Sequence, residues 1–263
     1  MDLGLRGRTA FISGSTAGIG YAVAAALAAE GVDVTINGRS PDRVAAAVER
    51  LAAAAPDVRV AGIAADFADA AAVDRLLDEL GEVDVLVANV GVFGLDRFED
   101  VGDDDWQRYL DVNLMSAVRS ARRLLPGMLD RGHGRIVLVS SESGVDVPGD
   151  MVPYGVTKAG LVALGNGLAK RTRGTSVTVN TVLGGPTWSD GVAAAVTSVA
   201  AAQAAPVATV RDAIIGQNTT SLLGRFIEPS EIADLVVWLA SPRASATTGA
   251  ALRADGGVLT TML

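Results

Sequence analysis

Three tyrosines and two lysines occur in 263 residues, and one of each stands four apart in Tyr154-Gly155-Val156-Thr157-Lys158. On a helix that spacing puts both side chains on one face. A nearby ammonium favours the phenolate and lowers a phenol pKa that starts at about 10. Tyr154 is therefore expected as a proton donor or acceptor, against the plainer reading of a surface pair at a helix start. Ser140 and Ser141 close the apolar run just upstream. A hydroxyl there can donate a hydrogen bond to a carbonyl oxygen as negative charge develops on it. A second constellation is Gly14-Ser15-Thr16-Ala17-Gly18-Ile19-Gly20. Glycines at a strand-to-helix turn let the backbone approach a pyrophosphate, and the helix start offers unpaired N–H groups and a favourable dipole. The spacing is G-x-x-x-G-x-G, so dinucleotide binding is expected from its placement more than from the pattern itself.

The next strand ends Asn37-Gly38-Arg39-Ser40. An acid there would take the ribose 2′-hydroxyl of NAD. Arg39 stands there instead, and a guanidinium can hold a 2′-phosphate by paired, charge-assisted hydrogen bonds. NADP(H) is thus the preferred cofactor, with NAD(H) as the alternative in which Arg39 is only a solvated loop charge. Asp42 falls inside the following helix start, where it favours the dipole.

The elements that must position these groups alternate regularly. Strands are predicted at 9–13, 32–37, 58–64, 83–88, 134–140, 177–182 and 250–254. Helices are predicted at 21–30, 41–55, 70–80, 103–129 (broken or kinked near Pro126), 154–172 and 229–240. Ser40 is the candidate cap of the second helix and Gly31 the stop of the first. Residues 185–224, rich in Ala and Thr, resist assignment. The alternation implies an α/β fold: one doubly wound parallel sheet of about seven strands with helices on both faces, in a single domain over 1–263. In such sheets ligands bind beyond the carboxyl ends of the strands, where these motifs fall.

Composition narrows the chemistry. There is no cysteine, so disulfides, thiol nucleophiles and Cys-ligated metals are excluded, and one histidine, His133, excludes a multi-His metal site. A Ser–His–Asp hydrolase fails because His133 lies before the strand that ends at Ser141. The net charge of −8 argues against a nucleic-acid partner. No signal peptide is read near Arg6 and Arg8. The most apolar window, Gly191–Val210, holds Thr197, Ser198, Gln203, Pro206 and Thr209, so no membrane span is expected. A cytoplasmic location is the resulting expectation.

Taken together, the glycine turn, Arg39, the serine pair and Tyr154/Lys158 resemble the short-chain dehydrogenase/reductase family over nearly the whole chain, from Gly4 to Gly257. The resemblance implies a single-domain Rossmann fold, usually a tetramer or dimer, catalysing carbonyl–alcohol interconversion on a small molecule. It implies Tyr154 as acid/base, Lys158 as its partner, Ser141 rather than Ser140 as the catalytic serine, and Asn113 as holder of a proton-relay water. Cofactor contacts are implied for Gly14, Ser15, Thr16, Gly18, Ile19, Gly20, Asp66 and Phe67 beside the adenine, Asn89, Gly91, Thr187 and Ser189. Asp255-Gly256-Gly257 matches a C-terminal signature that serves packing.

Two departures stand out. The family's N-N-A-G reads Ala88-Asn89-Val90-Gly91, placing bulk beside the cofactor, and its Pro-Gly reads Gly184-Gly185 before Pro186, implying a looser turn. The family's substrate lid corresponds to about 187–224, whose only charges are Asp190, Arg211 and Asp212, pointing to a neutral or apolar ketone. Glu142, Asp146 and Asp150 are expected to border the pocket entrance, where they either repel anions or are simply solvated. The nearest likeness is to 3-oxoacyl thioester reductases. Their acyl carrier protein partner would require Arg131 and Arg173, one of which is displaced by a residue. A sugar or polyol dehydrogenase and a non-catalytic NADP-binding subunit are the alternatives.

Overall fold

The alternating segments build one sheet of seven parallel strands, and the computed structural model describes residues 2–262. The strands are β1 Thr9–Ile12, β2 Asp33–Gly38, β3 Val60–Ala64, β4 Val85–Ala88, β5 His133–Ser141, β6 Ser176–Gly184 and β7 Ala251–Ala254, ordered β3-β2-β1-β4-β5-β6-β7. The helices are α1 Gly18–Ala29, α2 Pro41–Ala54, α3 Ala70–Leu80, α4 Asp103–Tyr109, α5 Ser116–Asp130, α6 Val152–Arg171, α7 Asp190–Ala202, α8 Val207–Gly216 and α9 Pro229–Ala240. One core packs α1 and α9 on one face of the sheet through Val23, Leu27, Ile232 and Val236. The other packs α3, α5 and α6 on the opposite face through Leu76, Leu124, Met128 and Leu161. Strand order reverses beside β1, and the ends of β1, β4 and β5 open on one edge, where ligands bind in such folds.

Local chemistry explains most boundaries. The Ser40 side chain accepts the Arg43 N–H at 3.4 Å and Pro41 opens α2; Gly31, at φ +83°, turns the chain out of α1. Of the break or kink expected near Pro126, no break occurs: Pro126 lies inside α5, which continues to Asp130. A proline removes one N–H and crowds the carbonyl four residues back. Here buried Leu124, Leu125 and Met128 hold both sides of it against the sheet. The true interruption is earlier, where Leu110–Met115 forms a π-helical turn between α4 and α5.

The unassigned stretch holds α7 and α8, bent by 112° and packed on each other through Val196, Ala200 and Val210. No single helix among the described residues is long and apolar enough to cross a membrane. Asp255, after β7, accepts N–H groups from Gly257 and Leu259 at 3.1 and 3.0 Å, the packing role expected of that signature.

Candidate active site

The glycine turn joins β1 to α1 with Gly14 and Gly18 at φ +62° and +58°. Asn89 fastens it, its amide donating to the Gly14 carbonyl at 2.9 Å and the Ser13 carbonyl at 3.2 Å. Gly20 is sterically required, since a Cβ there would lie 2.4 Å from the Gly14 carbonyl oxygen. Val90, the bulky departure, rests against the Gly14 Cα, where a Cβ would come within 3.0 Å of it. Ser15 differs from expectation. It is fully buried, donating to the Ile12 carbonyl at 2.6 Å and accepting the Asn37 N–H at 2.9 Å, so its side chain holds β1 to β2 and does not face a ligand.

A cavity of about 620 Å³ runs from this turn to the end of β2, bordered by Gly14, Thr16, Arg39, Ser40, Arg43 and Asp66. Arg39 and Arg43 are exposed and form no ion pair among the described residues. Phe67 also borders it, while the body of the residue is buried and packs into the core. Gly18 offers its N–H to the Asp190 carboxylate at 2.7 Å, so the start of α7 touches the turn.

A second cavity of about 360 Å³ adjoins the first at Asn89 and Gly91 and reaches Ile19, Thr187 and Ser189. Ser141, Tyr154 and Lys158 meet here. β5 carries Ser141 to the sheet edge; a short 3₁₀ turn, Glu142–Gly144, then doubles back against α6. Gly144 permits that contact, since a Cβ would lie 2.8 Å from the Ala159 nitrogen. The two serines separate cleanly. The Ser140 hydroxyl is tied to the Lys158 carbonyl at 2.8 Å, whereas Ser141 accepts the Ser143 N–H at 3.1 Å and donates to the Glu142 carboxylate. Lys158 is buried, donates to the Val139 carbonyl at 3.0 Å and lies 5.6 Å from the centre of the Tyr154 ring.

The electrostatics differ from the expected lowering of the tyrosine. Burial pushes the Tyr154 phenol up to about 12; hydrogen bonding with Ser141 opposes this, and the negative charge of Glu142 adds to it. Burial also pulls the Lys158 ammonium down to about 8, with Glu142 opposing. Both groups sit in the same desolvated space, where each loses more from leaving water than it gains from its neighbour. Glu142 is itself raised by burial, against hydrogen bonds from Ser141 and the Ser143 turn.

Asn113 lies in the π-helical turn, a distortion frequent at functional sites. Its amide donates to the Val92 carbonyl at 2.9 Å and to Thr157 Oγ1 at 3.0 Å, and its oxygen accepts the Val92 N–H at 2.7 Å. It therefore joins the segment after β4 to α6. Gly91 lies between it and Lys158, since a Cβ there would be 3.3 Å from Nζ and 3.6 Å from Asn113 Oδ1. The supposedly looser turn is fastened: Gly185 donates to the Ala254 carbonyl at 3.1 Å, and a side chain there would strike the Asp255 backbone at 2.5 Å. Thr187 donates to the Gly185 carbonyl at 2.8 Å, and Ser189 caps α7. His133 begins β5 and Ser141 ends it, so the two stand at opposite ends of the strand.

Glu142 lines the pocket as expected, whereas Asp146 and Asp150 are exposed and do not line it; sequence reasoning missed Arg43, the Asp190–Gly18 contact and the Glu142–Ser141 contact. Arg43 is one helical turn from Ser40 and could have been read from that spacing. Asp190 meets Gly18 across 172 residues, beyond any local signal.

A family model described as enoyl-(acyl carrier protein) reductase matches residues 14–259. The uncharacterized oxidoreductase YvrD of Bacillus subtilis is 42% identical, over 98% of this chain and 99% of its own. The 3-oxoacyl-[acyl-carrier-protein] reductase FabG of Aquifex aeolicus is 30% identical over 98% of this chain and 100% of its own. Among solved structures, L-sorbose reductase from Gluconobacter frateurii, complexed with NADPH and L-sorbose, superposes with a TM-score of 0.94 at 31% identity, covering 100% of both chains. With the parallel sheet, the glycine turn and the Ser141–Tyr154–Lys158 cluster in place, these likenesses show that the chain is an oxidoreductase of the short-chain dehydrogenase/reductase family.

Proposed function

We propose that the chain uses NADP(H) to interconvert a neutral ketone and a secondary alcohol. The observation that carries this is the adjacency of two cavities: one holding Ser141 and Tyr154 before a buried lysine, the other flanked by two unpaired guanidinia. The first cavity suits a phosphorylated dinucleotide: its glycine cradle would be filled by a Cβ, and Arg39 and Arg43 are the donors for a 2′-phosphate. Gly14, Thr16, Gly18, Gly20, Asp66, Asn89 and Gly91 shape the dinucleotide site, with Ile19, Thr187 and Ser189 toward the nicotinamide. The nicotinamide, when bound, supplies hydride.

Ser141 and Tyr154 hold the carbonyl oxygen, and Tyr154 Oη gives its proton to the oxygen as it becomes an alkoxide. The Lys158 ammonium stabilises the phenolate left behind. Asn113 and Gly91 keep Lys158 and the β4 segment in register, and residues 187–224 close over the substrate as a lid. A homo-oligomer, tetramer or dimer, is the assembly that the family implies. Acyl carrier protein docking gains no support from Arg131, which is engaged by Glu82 at 3.0 Å and the Val83 carbonyl at 3.0 Å.

The test is oxidation of NADPH with a panel of neutral ketones by wild type and Tyr154→Phe. The variant is expected to lose at least about a hundredfold in kcat while its NADPH affinity persists. Near-wild-type turnover in Tyr154→Phe overturns the assignment.

A further inference from the structure

The cavity above Tyr154 has apolar walls from Phe93, Met151, Val192 and Phe226, and only two charged residues line it. One, Lys158, lies buried against the Val139 carbonyl. The other is Glu142, which forms no ion pair among the described residues. Its carboxylate is hydrogen-bonded by Ser141 and the Ser143 turn, and Ser143 N–H also donates to the Ser141 hydroxyl oxygen. A half-buried carboxylate in an apolar pocket is costly unless hydrogen-bonded.

Its partner creates a conflict with the proposed reaction. A serine hydroxyl has one proton, and the proton of Ser141 points to Glu142. That proton is the one Ser141 must offer a substrate carbonyl. A ketone without a donor of its own leaves two poorer options: Ser141 stays on Glu142 and the carbonyl loses a hydrogen bond, or Ser141 turns and the carboxylate loses that bond, keeping only those of the Ser143 turn. A hydroxyl on the carbon next to the carbonyl resolves both, since it donates to Glu142 and frees Ser141. An ammonium in that place would meet the Lys158 cation lining the same cavity, and a substrate carboxylate would meet Glu142 itself.

We infer that Glu142 selects α-hydroxy ketones, its carboxylate accepting the hydroxyl beside the reacting carbonyl and releasing Ser141 to that carbonyl. This rests on the reading of the cavity as a carbonyl-reduction site. It places uncharged polyhydroxy ketones ahead of 3-oxoacyl thioesters, which carry no donor at that carbon.

The experiment compares hydroxyacetone with butanone, which differ by a hydroxyl in place of a methyl group, in wild type, Glu142→Gln and Glu142→Ala. Wild type is expected to prefer hydroxyacetone in kcat/KM by about 10- to 100-fold, the range for a hydrogen bond to a charged group. In Glu142→Ala the preference should fall to within about threefold, and Glu142→Gln should lie between. Calorimetric titration of the protein–NADPH complex with propylene glycol and sec-butanol, a dead-end pairing with no hydride acceptor, should show the same preference and the same loss. NADPH affinity, unchanged across the variants, reports that the fold is intact. Equal treatment of the two ketones by wild type, or an equal loss on both in Glu142→Ala, overturns the selection role and leaves the reductase reading standing. NADPH binding without turnover of either ketone, together with no binding of either alcohol, overturns the reductase reading and this inference with it.

Discussion

Replacing Arg39 with alanine tests the cofactor assignment most directly. The guanidinium is exposed at the end of β2, unpaired, and shares its cavity with Ser40 and Arg43. A paired guanidinium–phosphate contact combines two charge-assisted hydrogen bonds, worth about 1.5–3 kcal/mol each where water is excluded. This cavity is open to solvent, where single ion pairs contribute about 0.2–1 kcal/mol. The balance is about 1–2 kcal/mol, or a five- to thirtyfold loss of NADPH affinity on Arg39→Ala, with NADH affinity within about twofold of wild type. Arg43 lies one helical turn away, so the two losses should not simply add. The assay is fluorescence titration of both reduced cofactors at two salt concentrations. Between about 0.1 and 1 M the screening length falls from about 10 to about 3 Å, so the NADPH advantage of wild type should shrink while that of the variant changes little. A wild-type preference for NADH, or an equal loss of both cofactors in Arg39→Ala, refutes the 2′-phosphate reading.

Further outcomes follow from single contacts. Gly20→Ala puts a methyl group 2.4 Å from the Gly14 carbonyl oxygen and 2.9 Å from the Ser15 Cα, neither of which can yield; urea unfolding should show a loss of about 1–3 kcal/mol, and wild-type stability would show that the turn is not tightly packed. Asp190→Ala frees the Gly18 N–H at the start of α1 and removes a negative charge from beside it; NADPH should bind about two- to tenfold tighter, whereas weaker binding would mean that the α7 contact supports the cofactor. Lys158 loses its proton near pH 8 in the folded chain and near 10.5 in its ordinary state. Between those values the unfolded chain holds more protons, so rising pH favours the fold. Relative to Lys158→Met, wild type should gain up to about 1.4 kcal/mol per pH unit from pH 8 to 10, and parallel pH curves for the two proteins would contradict the depressed lysine.

Where a local device ends an element, the sequence carried its bounds. α3 and α9 match their predicted ranges, the first because Asp69 accepts N–H groups from Ala71 and Ala72, the second because Pro229 opens it. α1 begins three residues before its predicted start, because Gly18 and Gly20, poor helix formers, are recruited into its first turn by the packing of the glycine loop. The π-helical turn at Asn113 has no local signature; it is set by what Asn113 grips across the sheet edge. α7 and α8 were hidden because alanine repeats dilute the apolar periodicity. The contact of Glu142 with Ser141 was hidden for a geometric reason. Alternation along a strand would turn it away from Ser141, but the strand ends at Ser141 and a 3₁₀ turn brings the next side chain back to it.

That turn also accounts for the reversal of the tyrosine's expected pKa. The Tyr-x-x-x-Lys spacing fixes only that two side chains share a helix face; it does not fix how much water they keep. In the fold, β5, α6 and the 3₁₀ turn enclose both, and Glu142 adds a negative charge on the tyrosine's side. Tyr154 is thereby held protonated, the form that can give a proton to an alkoxide. Lys158, near 8, stays mostly cationic at neutral pH, in position to stabilise the phenolate only once it forms. Burial thus assigns the acid and the cation to different residues, a separation that environment rather than residue type creates. The carboxylate beside them fits the same logic. It keeps the proton on Tyr154 and occupies the proton of Ser141, so the pocket is set for reduction but completed only by a substrate that brings a hydrogen-bond donor to Glu142.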